Sequence, residues 1–223
     1  QESRPILTGV HFVLSDNKEL KTVATDSHRM SQKVITLEKN GDNFDVVIPS
    51  RSLREFTSVF SDDIETVEVF FANNQILFRS EHISFYTRLL EGNYPDTDRL
   101  IPTEFNTEAT FNVANLRFAM ERARLLSNAT QNGTVKLEFK NGVVSSHVHS
   151  PEVGRVNEEI DTSAVSGEDL SISFNPTYLI EALKAIDSEQ VVIRFISSVR
   201  PFTLVPEGNE QGFIQLITPV RTN

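Results

Sequence analysis

The sequence predicts an α+β fold, built from repeated modules of antiparallel sheet with helices packed on one face. Three observations carry this. Short runs of alternating apolar residues, bounded by Asn, Asp, Gly and Ser, recur along most of the chain. Few segments show helical spacing. The order strand, capped helix, three strands occurs once in each half.

The elements run in order along the chain. "ILTGVHFVLSD" and "ELKTVATD" read as two strands joined by a turn at Ser15-Asp16-Asn17. "RMSQKVITLE" and "NFDVVIP" come next, separated by Lys39-Asn40-Gly41-Asp42, whose Asn-Gly is a hairpin signal. "PSRSLREFTSVF" reads as a helix with Ser50 as its cap and an apolar stripe of Leu53, Phe56, Val59 and Phe60. Three strands, "TVEVFFA", "QILFRSE" and "ISFYTRLLE", turn at Asn73-Asn74 and at Glu81-His82. A loop runs from Gly92 to Pro102.

After the loop, the strand "ATFNV" leads into the strongest helix, "ANLRFAMERARLLSNAT", with Leu116, Met120, Ala123 and Leu126 or Ser127 on one face. "TVKLEFKNGVVSSHVH" alternates on both sides of an Asn-Gly turn and predicts a hairpin. "RVNEEID" and "LSISF" are further strands. "NPTYLIEALKAID" is a helix with Asn175 as cap and Pro176 at its first position. "QVVIRF", "RPFTLVP" and "GFIQLITPV" close the chain.

The repeat aligns "VIPSRSLREF" and its three subsequent strands with "SFNPTYLIEAL" and its three. Leu53 then matches Leu179, and Glu55 matches Glu181. The second copy opens with an extra strand and helix, residues 109–130, without counterpart in the first. Residues 105–223 therefore read as a complete module, and 1–104 as one that lacks its first strand and helix. The chain reads as the C-terminal part of something longer.

Composition sets bounds. At 223 residues, 39% hydrophobic and 23% charged, the chain has the make-up of an ordinary globular protein with room for two cores. No apolar run approaches the roughly 18 residues of a membrane span, and the opening residues lack signal-peptide character. The absence of cysteine excludes disulfide and thiolate chemistry and fits a reducing compartment. The net charge of −10 argues against nucleic-acid binding unless an acidic shell surrounds a basic lining.

"TVATDSHRM", residues 22–30, gathers acid, hydroxyl, imidazole and guanidinium. Read as catalysis, Asp26 and His28 would share one face of an extended strand and Ser27 the other, so no triad assembles there. His147 and His149 form an H-x-H pair that could face one metal ion, with no third ligand nearby in sequence. A hydrolase using Asp26, His28 or His147/His149 is thus the alternative reading. No phosphate-binding glycine loop is present. Basic side chains mark the helices: Arg51 and Arg54 on the first, Arg117, Arg122 and Arg124 on the second, Lys184 on the third. The end of the chain, "LITPVRTN", is apolar almost to its last residue, which suggests docking as an edge strand or a groove wall.

Together the repeated modules, "TVATDSHRM", "EGNYPD" with its nearby arginine, and the terminal "TPVR" resemble the beta subunit of bacterial DNA polymerase III, the replicative sliding clamp. The resemblance covers the whole chain as the second and third of three domains. It implies the DNA-clamp fold and a non-enzymatic, cytoplasmic processivity factor without cofactor or metal. In that family two subunits close into a ring around duplex DNA. The ring tethers the polymerase III alpha subunit, the clamp loader and repair polymerases through short linear peptides.

The resemblance also implies roles for residues. A peptide pocket between the second and third domains would use Leu7, Thr25, Ser27, His28, Arg29, Met30, Pro95, Arg99, Leu100, Val199, Pro201, Leu216, Thr218, Pro219, Val220 and Arg221. Ser27 stands where the family often has glycine, and Thr218 where a bulky apolar residue is common. Arg51, Arg54, Arg117, Arg122, Arg124 and Lys184 would face DNA, and Leu125 and Leu126 would meet a second subunit. The full-length protein is expected to be a homodimer, and this stretch alone a monomer with no membrane partner.

Overall fold

The structure is a computed structural model and describes residues 4–60, 64–127, 133–150, 154–209 and 212–221. It divides into two compact units, Gln1–Asp26 with Gln32–Thr97, and Ser27–Ser31 with Asp98–Asn223.

In the first unit, a short 3-10 turn at Pro5–Thr8 precedes β1 (Gly9–Ser15) and β2 (Glu19–Thr25). The strand predicted from Ile6 therefore starts later, because Pro5 sets the φ of a tight turn. Asp16 and Asn17 take left-handed backbone at the β1–β2 turn, which their short polar side chains tolerate. β3 (Arg29–Thr36), β2, β1 and β4 (Phe44–Pro49) lie in that order across a sheet. The Asn40-Gly41 turn is consequently not a hairpin: β4 pairs with β1. The connection crosses the β1–β2 turn, where Gly41 N–H donates to Asn17 C=O at 2.8 Å and Leu37 N–H to Lys18 C=O at 2.8 Å.

Helix α1 (Ser50–Val59) starts one residue earlier than predicted. Pro49 occupies the cap position and no side chain caps the helix, so Ser50 is its first helical residue. Leu53 and Phe56 pack inward, and Phe60 leaves the helix in extended backbone to join them. Val59, expected on that stripe, is exposed. The meander β5 (Glu68–Ala72), β6 (Gln75–Arg79) and β7 (Ser84–Arg88) forms a second sheet. Its inward residues Ile76, Phe78 and Phe85 meet Ile48, Phe56 and Phe60, with the Phe56 ring 4.4 Å from Phe60 and 4.7 Å from Phe78.

In the second unit, β8 (Thr107–Asn112) runs into α2 (Val113–Ser127). The predicted helix tail at 128–130 lies outside the described residues. β9 (Val135–Lys140) and β10 (Val143–Ser150) form the expected hairpin, with Asn141 at φ 51° and Gly142 at φ 77°. β11 (Gly154–Ile160) and β13 (Leu170–Phe174) complete a sheet in the order β11-β10-β9-β13. Between them, β12 (Ala164–Gly167) pairs with β8. Sequence patterning does not predict this strand, because four residues with one large apolar side chain show no alternation.

Helix α3 (Pro176–Lys184) is capped as expected: Asn175 Oδ1 accepts from Thr177 N–H. It ends three residues before the predicted Asp187. β14 (Gln190–Phe195), β15 (Phe202–Pro206) and β16 (Phe213–Ile217) form a meander joined to β8 through β14. Both helices and both sheets feed one core. Phe111, Leu116, Met120, Leu137, Phe174, Leu179, Phe195 and Phe202 are all fully buried there. The predicted face of α2 is the buried one, with Ala119 added.

The repeat is visible as β4-α1 with the meander β5-β6-β7 and β13-α3 with the meander β14-β15-β16. The copies differ at one place. β14 pairs with β8 on its far side, and α3 packs on α2. Among the described residues, β5 has no strand on its far side, and α1 buries none of its residues fully, where α3 buries five.

Two substitutions test this architecture. A Cβ on Gly9 would lie 2.7 Å from Ile48 O and from Val47 Cγ1 and 2.8 Å from Leu90 Cδ1. Gly9→Ala should lower stability to urea by about 1–3 kcal/mol, the usual cost of overpacking. Ser27 sits at φ 74° in the turn between β2 and β3. Left-handed backbone costs a side chain of this kind about 1–2 kcal/mol, partly offset by the greater freedom of an unfolded glycine. Ser27→Gly should therefore raise the urea midpoint slightly, and an unfavourable shift would contradict the strained turn.

Candidate functional site

The polar stretch that stands out in sequence is a turn and a strand start. Thr25 ends β2, Ser27 turns in left-handed backbone, and Arg29 begins β3. Asp26 and His28 are therefore not two positions on one extended face, as expected from sequence. The glycine-like conformation at Ser27 accounts physically for a glycine being suited to this position.

Residues Ser27–Ser31 belong to the second unit and are fastened there. Thr218 N–H donates to His28 C=O at 2.9 Å, and Gln215 Nε2 donates to Ser31 Oγ at 2.9 Å. The first turn of α3 contributes a ring: Tyr178 stacks on His28 at 6.2 Å, with the Arg29 guanidinium 4.7 Å from its centroid. Arg29 also pairs with Glu181 one turn further along α3. Sequence reasoning does not pick out Tyr178 and Glu181. Only the packing of α3 beside this strand start reveals them, since most of the chain separates them from it.

The apolar chain end is docked. Val220 N–H donates to Ser173 C=O of β13 at 2.7 Å, two residues after the Thr218 bond. Leu216 is buried and Thr218 and Pro219 are half-buried. The second unit also leaves apolar side chains in solvent: Leu100 is 49% exposed, Val199 53% and Val220 37%. Pro201 is half-buried, while Arg99 and Arg221 are exposed and Met30 is buried. A rigid chain end and exposed apolar side chains are features that an extended peptide can use.

In the first unit, Leu7 is buried in the 3-10 turn, Thr25 is half-buried and Pro95 is exposed. Pro95 comes directly after Tyr94, whose hydroxyl donates to Val23 C=O at 3.3 Å. Burial pushes the Tyr94 hydroxyl above its ordinary pKa, partly countered by a hydrogen bond with the Thr25 backbone.

The basic helix residues differ in how far their charge is already matched. Arg122 is bound to Glu158 on β11, and this hydrogen bond holds its guanidinium above its usual pKa. Arg51 pairs with Glu55 at 3.2 Å, and Arg117 lies 3.9 Å from Glu121. Arg54, Arg124 and Lys184 have no ion pair among the described residues; Arg54 and Lys184 are exposed and Arg124 half-buried. On the outward side of α2, Leu125 is 72% exposed and Phe118 half-exposed, one heptad apart, whereas Leu126 packs partly against the core.

The hydrolase alternative finds no support in this geometry. His147 Nε2 does lie 2.9 Å from Ser145 Oγ, and its Nδ1 2.8 Å from Asn157 Oδ1. But Ser145 and His147 lie on β10, an interior strand whose backbone groups are committed to the ladders with β9 and β11 rather than to an oxyanion hole. Both His147 nitrogens are engaged, and among the described residues no three potential metal ligands gather.

Comparison with known proteins places the chain. A family model for the central domain of the DNA polymerase III beta subunit matches residues 1–96, and one for its C-terminal domain matches residues 98–221. The sequence is 81% identical over 223 residues to the beta sliding clamp of Streptococcus pneumoniae serotype 4, covering 100% of this chain and 59% of that protein. The solved DNA polymerase III beta chain of S. pneumoniae superposes with a TM-score of 0.97 at 81% identity, covering 100% of this chain and 59% of that one. The Bacillus subtilis sliding clamp superposes with a TM-score of 0.94 at 38% identity, over 100% and 59%. This chain thus spans less than two thirds of the length of the curated relatives it matches. It belongs to the DNA polymerase III beta subunit family, with the DNA-clamp fold.

Proposed function

We propose that this chain is the central and C-terminal part of a replicative sliding clamp. Within the full-length protein, it contributes to a cytoplasmic ring around duplex DNA that keeps a polymerase on its template by topology rather than by chemistry. Residues 1–104 serve as the second clamp domain without its first strand and helix, and 105–223 as a complete third domain. The open edge of β5 and the unburied α1 support that division, since the second unit fills the equivalent places with β8 and α2. Leu125, outward on α2, serves a subunit contact in the full-length homodimer, with Leu126 beside it.

The second unit carries a docking surface for linear peptides of the polymerase III alpha subunit, the clamp loader and repair polymerases. One observation supports this above the others: the chain end is held by backbone hydrogen bonds to His28 and Ser173 while apolar side chains of the same unit stay in solvent. A leucine- or phenylalanine-bearing peptide gains by covering them. The test is fluorescence polarisation with a Gln-Leu-x-Leu-Phe peptide. Leu100→Glu should weaken binding at least about tenfold, the effect of losing one apolar anchor of about 1.5–3 kcal/mol. Because Leu100 is half exposed, the variant should keep its fold. Unchanged affinity would remove Leu100 from the surface.

DNA contact is assigned to the helices and is non-specific, which reconciles it with a net charge of −10. Arg54, Arg124 and Lys184 are the foremost candidates, because their charges are unmatched. Arg51, Arg117 and Arg122 are already near carboxylates. In the full-length protein, replacing the first three by Ala should weaken DNA retention and flatten its salt dependence by about one unit of slope for each phosphate no longer neutralised. Peptide affinity should stay unchanged. A salt slope equal to that of the parent would refute the assignment.

A further inference from the structure

We propose that His11 and Asp45 form a clasp that holds the segment Leu90–Thr97 over the outer face of the β2-β1-β4 sheet and thereby fixes Tyr94.

The geometry starts with the face. β1 pairs His11 with Val23 of β2 and Val47 of β4, and Val13 with Asp45. His11, Val23, Val47 and Asp45 therefore share one side of the sheet, opposite Phe12, Val46 and Ile48 of the core. Such an outer face is normally left to solvent. Here Val23 and Val47 are 1% and 5% exposed. The segment 90–97 forms a strap that starts at the free edge of β4, where Leu90 N–H donates to Val47 C=O at 2.8 Å, and reaches this face at Tyr94. Leu89, just before it, still packs on the inner core, its N–H donating to Asn74 C=O at 2.9 Å. Leu90 sits so near Gly9 that only a glycine leaves room. Gly92, at φ 128°, turns the strap in a conformation open to glycine.

Tyr94 is the far end of the strap, and His11 holds it. The two rings lie 4.6 Å apart at a tilt of 30°. His11 Nε2 lies 2.6 Å from Asp45 Oδ1, the distance of a charge-assisted hydrogen bond. The imidazole side chain is 16% exposed and the carboxylate 72%. Asp45 thus reaches over from solvent and fixes the orientation of a largely buried ring, and that ring supports Tyr94. The Tyr94 hydroxyl closes the arrangement on Val23 C=O. Pro95, the next residue, is exposed, so the clasp ends at Tyr94.

Amide exchange of this chain tests the clasp. His11→Ala and Asp45→Ala should each speed exchange at Leu90, whose N–H bonds to Val47 C=O, about tenfold, the scale of one hydrogen bond to a charged group. Exchange in β9, β10 and β14 should stay unchanged. Asp45→Asn, whose amide oxygen still accepts from Nε2–H, should restore most of the protection. Asp45 is largely exposed, so its variants remain informative if His11→Ala misfolds. Exchange at Leu90 equal to the parent in both alanine variants, or acceleration spread evenly over the chain, would overturn the clasp.

Discussion

A sheet can bury only the face that something covers, and this constraint organises both units. In the second unit, α2 and α3 lie together against β8–β11 and β13–β16, so one core takes the inward residues of both sheets. Phe111, Phe174, Phe195 and Phe202 provide its bulk, with ring centroids 5.2 Å apart for Phe174–Phe202 and for Phe195–Phe202. Since each helix uses one face for this core, its other faces remain available. Arg124 and Lys184 stand on those remaining faces, as does Leu125. The basic and apolar features from which DNA and subunit contacts are proposed thus arise from amphipathic packing.

The same constraint explains the first unit. Its core of Ile48, Phe60, Ile76 and Phe78 is small, and α1 covers it with Leu53 and Phe56 rather than with a full helical face. The outer side of its β2-β1-β4 sheet is unusual in being covered too. That cover is the strap at residues 90–97, held by a backbone bond to Val47 at one end and by the Tyr94 ring at the other. The motif "EGNYPD" acquires a mechanical meaning from this: a glycine to turn, a tyrosine to dock, and a proline to stiffen the backbone beyond it.

At the end of the chain, rigidity comes from backbone hydrogen bonds rather than from side-chain packing alone. A chain end ordinarily frays. Here Thr218 and Val220 are bonded to His28 and Ser173, on elements remote from them in the chain. The left-handed turn at Ser27 aims His28 toward that contact. Tyr178 then stacks on His28 and accepts the Arg29 cation over its ring.

Much of this is legible in the residues. Apolar runs bounded by turn residues mark the described strands other than β12, with clear alternation in β8 and β9, and helical spacing marks α1, α2 and α3, because burial imprints a pattern on the sequence. The Asn141-Gly142 hairpin and the Asn175 cap are readable because their chemistry is local. The errors arise where local signals meet non-local partners. Asn40-Gly41 looks like a hairpin, yet β4 pairs with β1; β12 has no pattern, yet β8 gives it a partner. By itself, then, the sequence determined the elements, the repeat and the family, since propensity, periodicity and motif act within a few residues. Tertiary structure alone decided that Tyr178 and Glu181 join His28 and Arg29, that Arg122 is matched by Glu158, and that His11 and Asp45 hold Tyr94. Those contacts depend on which strands lie side by side, and pairing between distant segments leaves no mark in the spacing of any one of them.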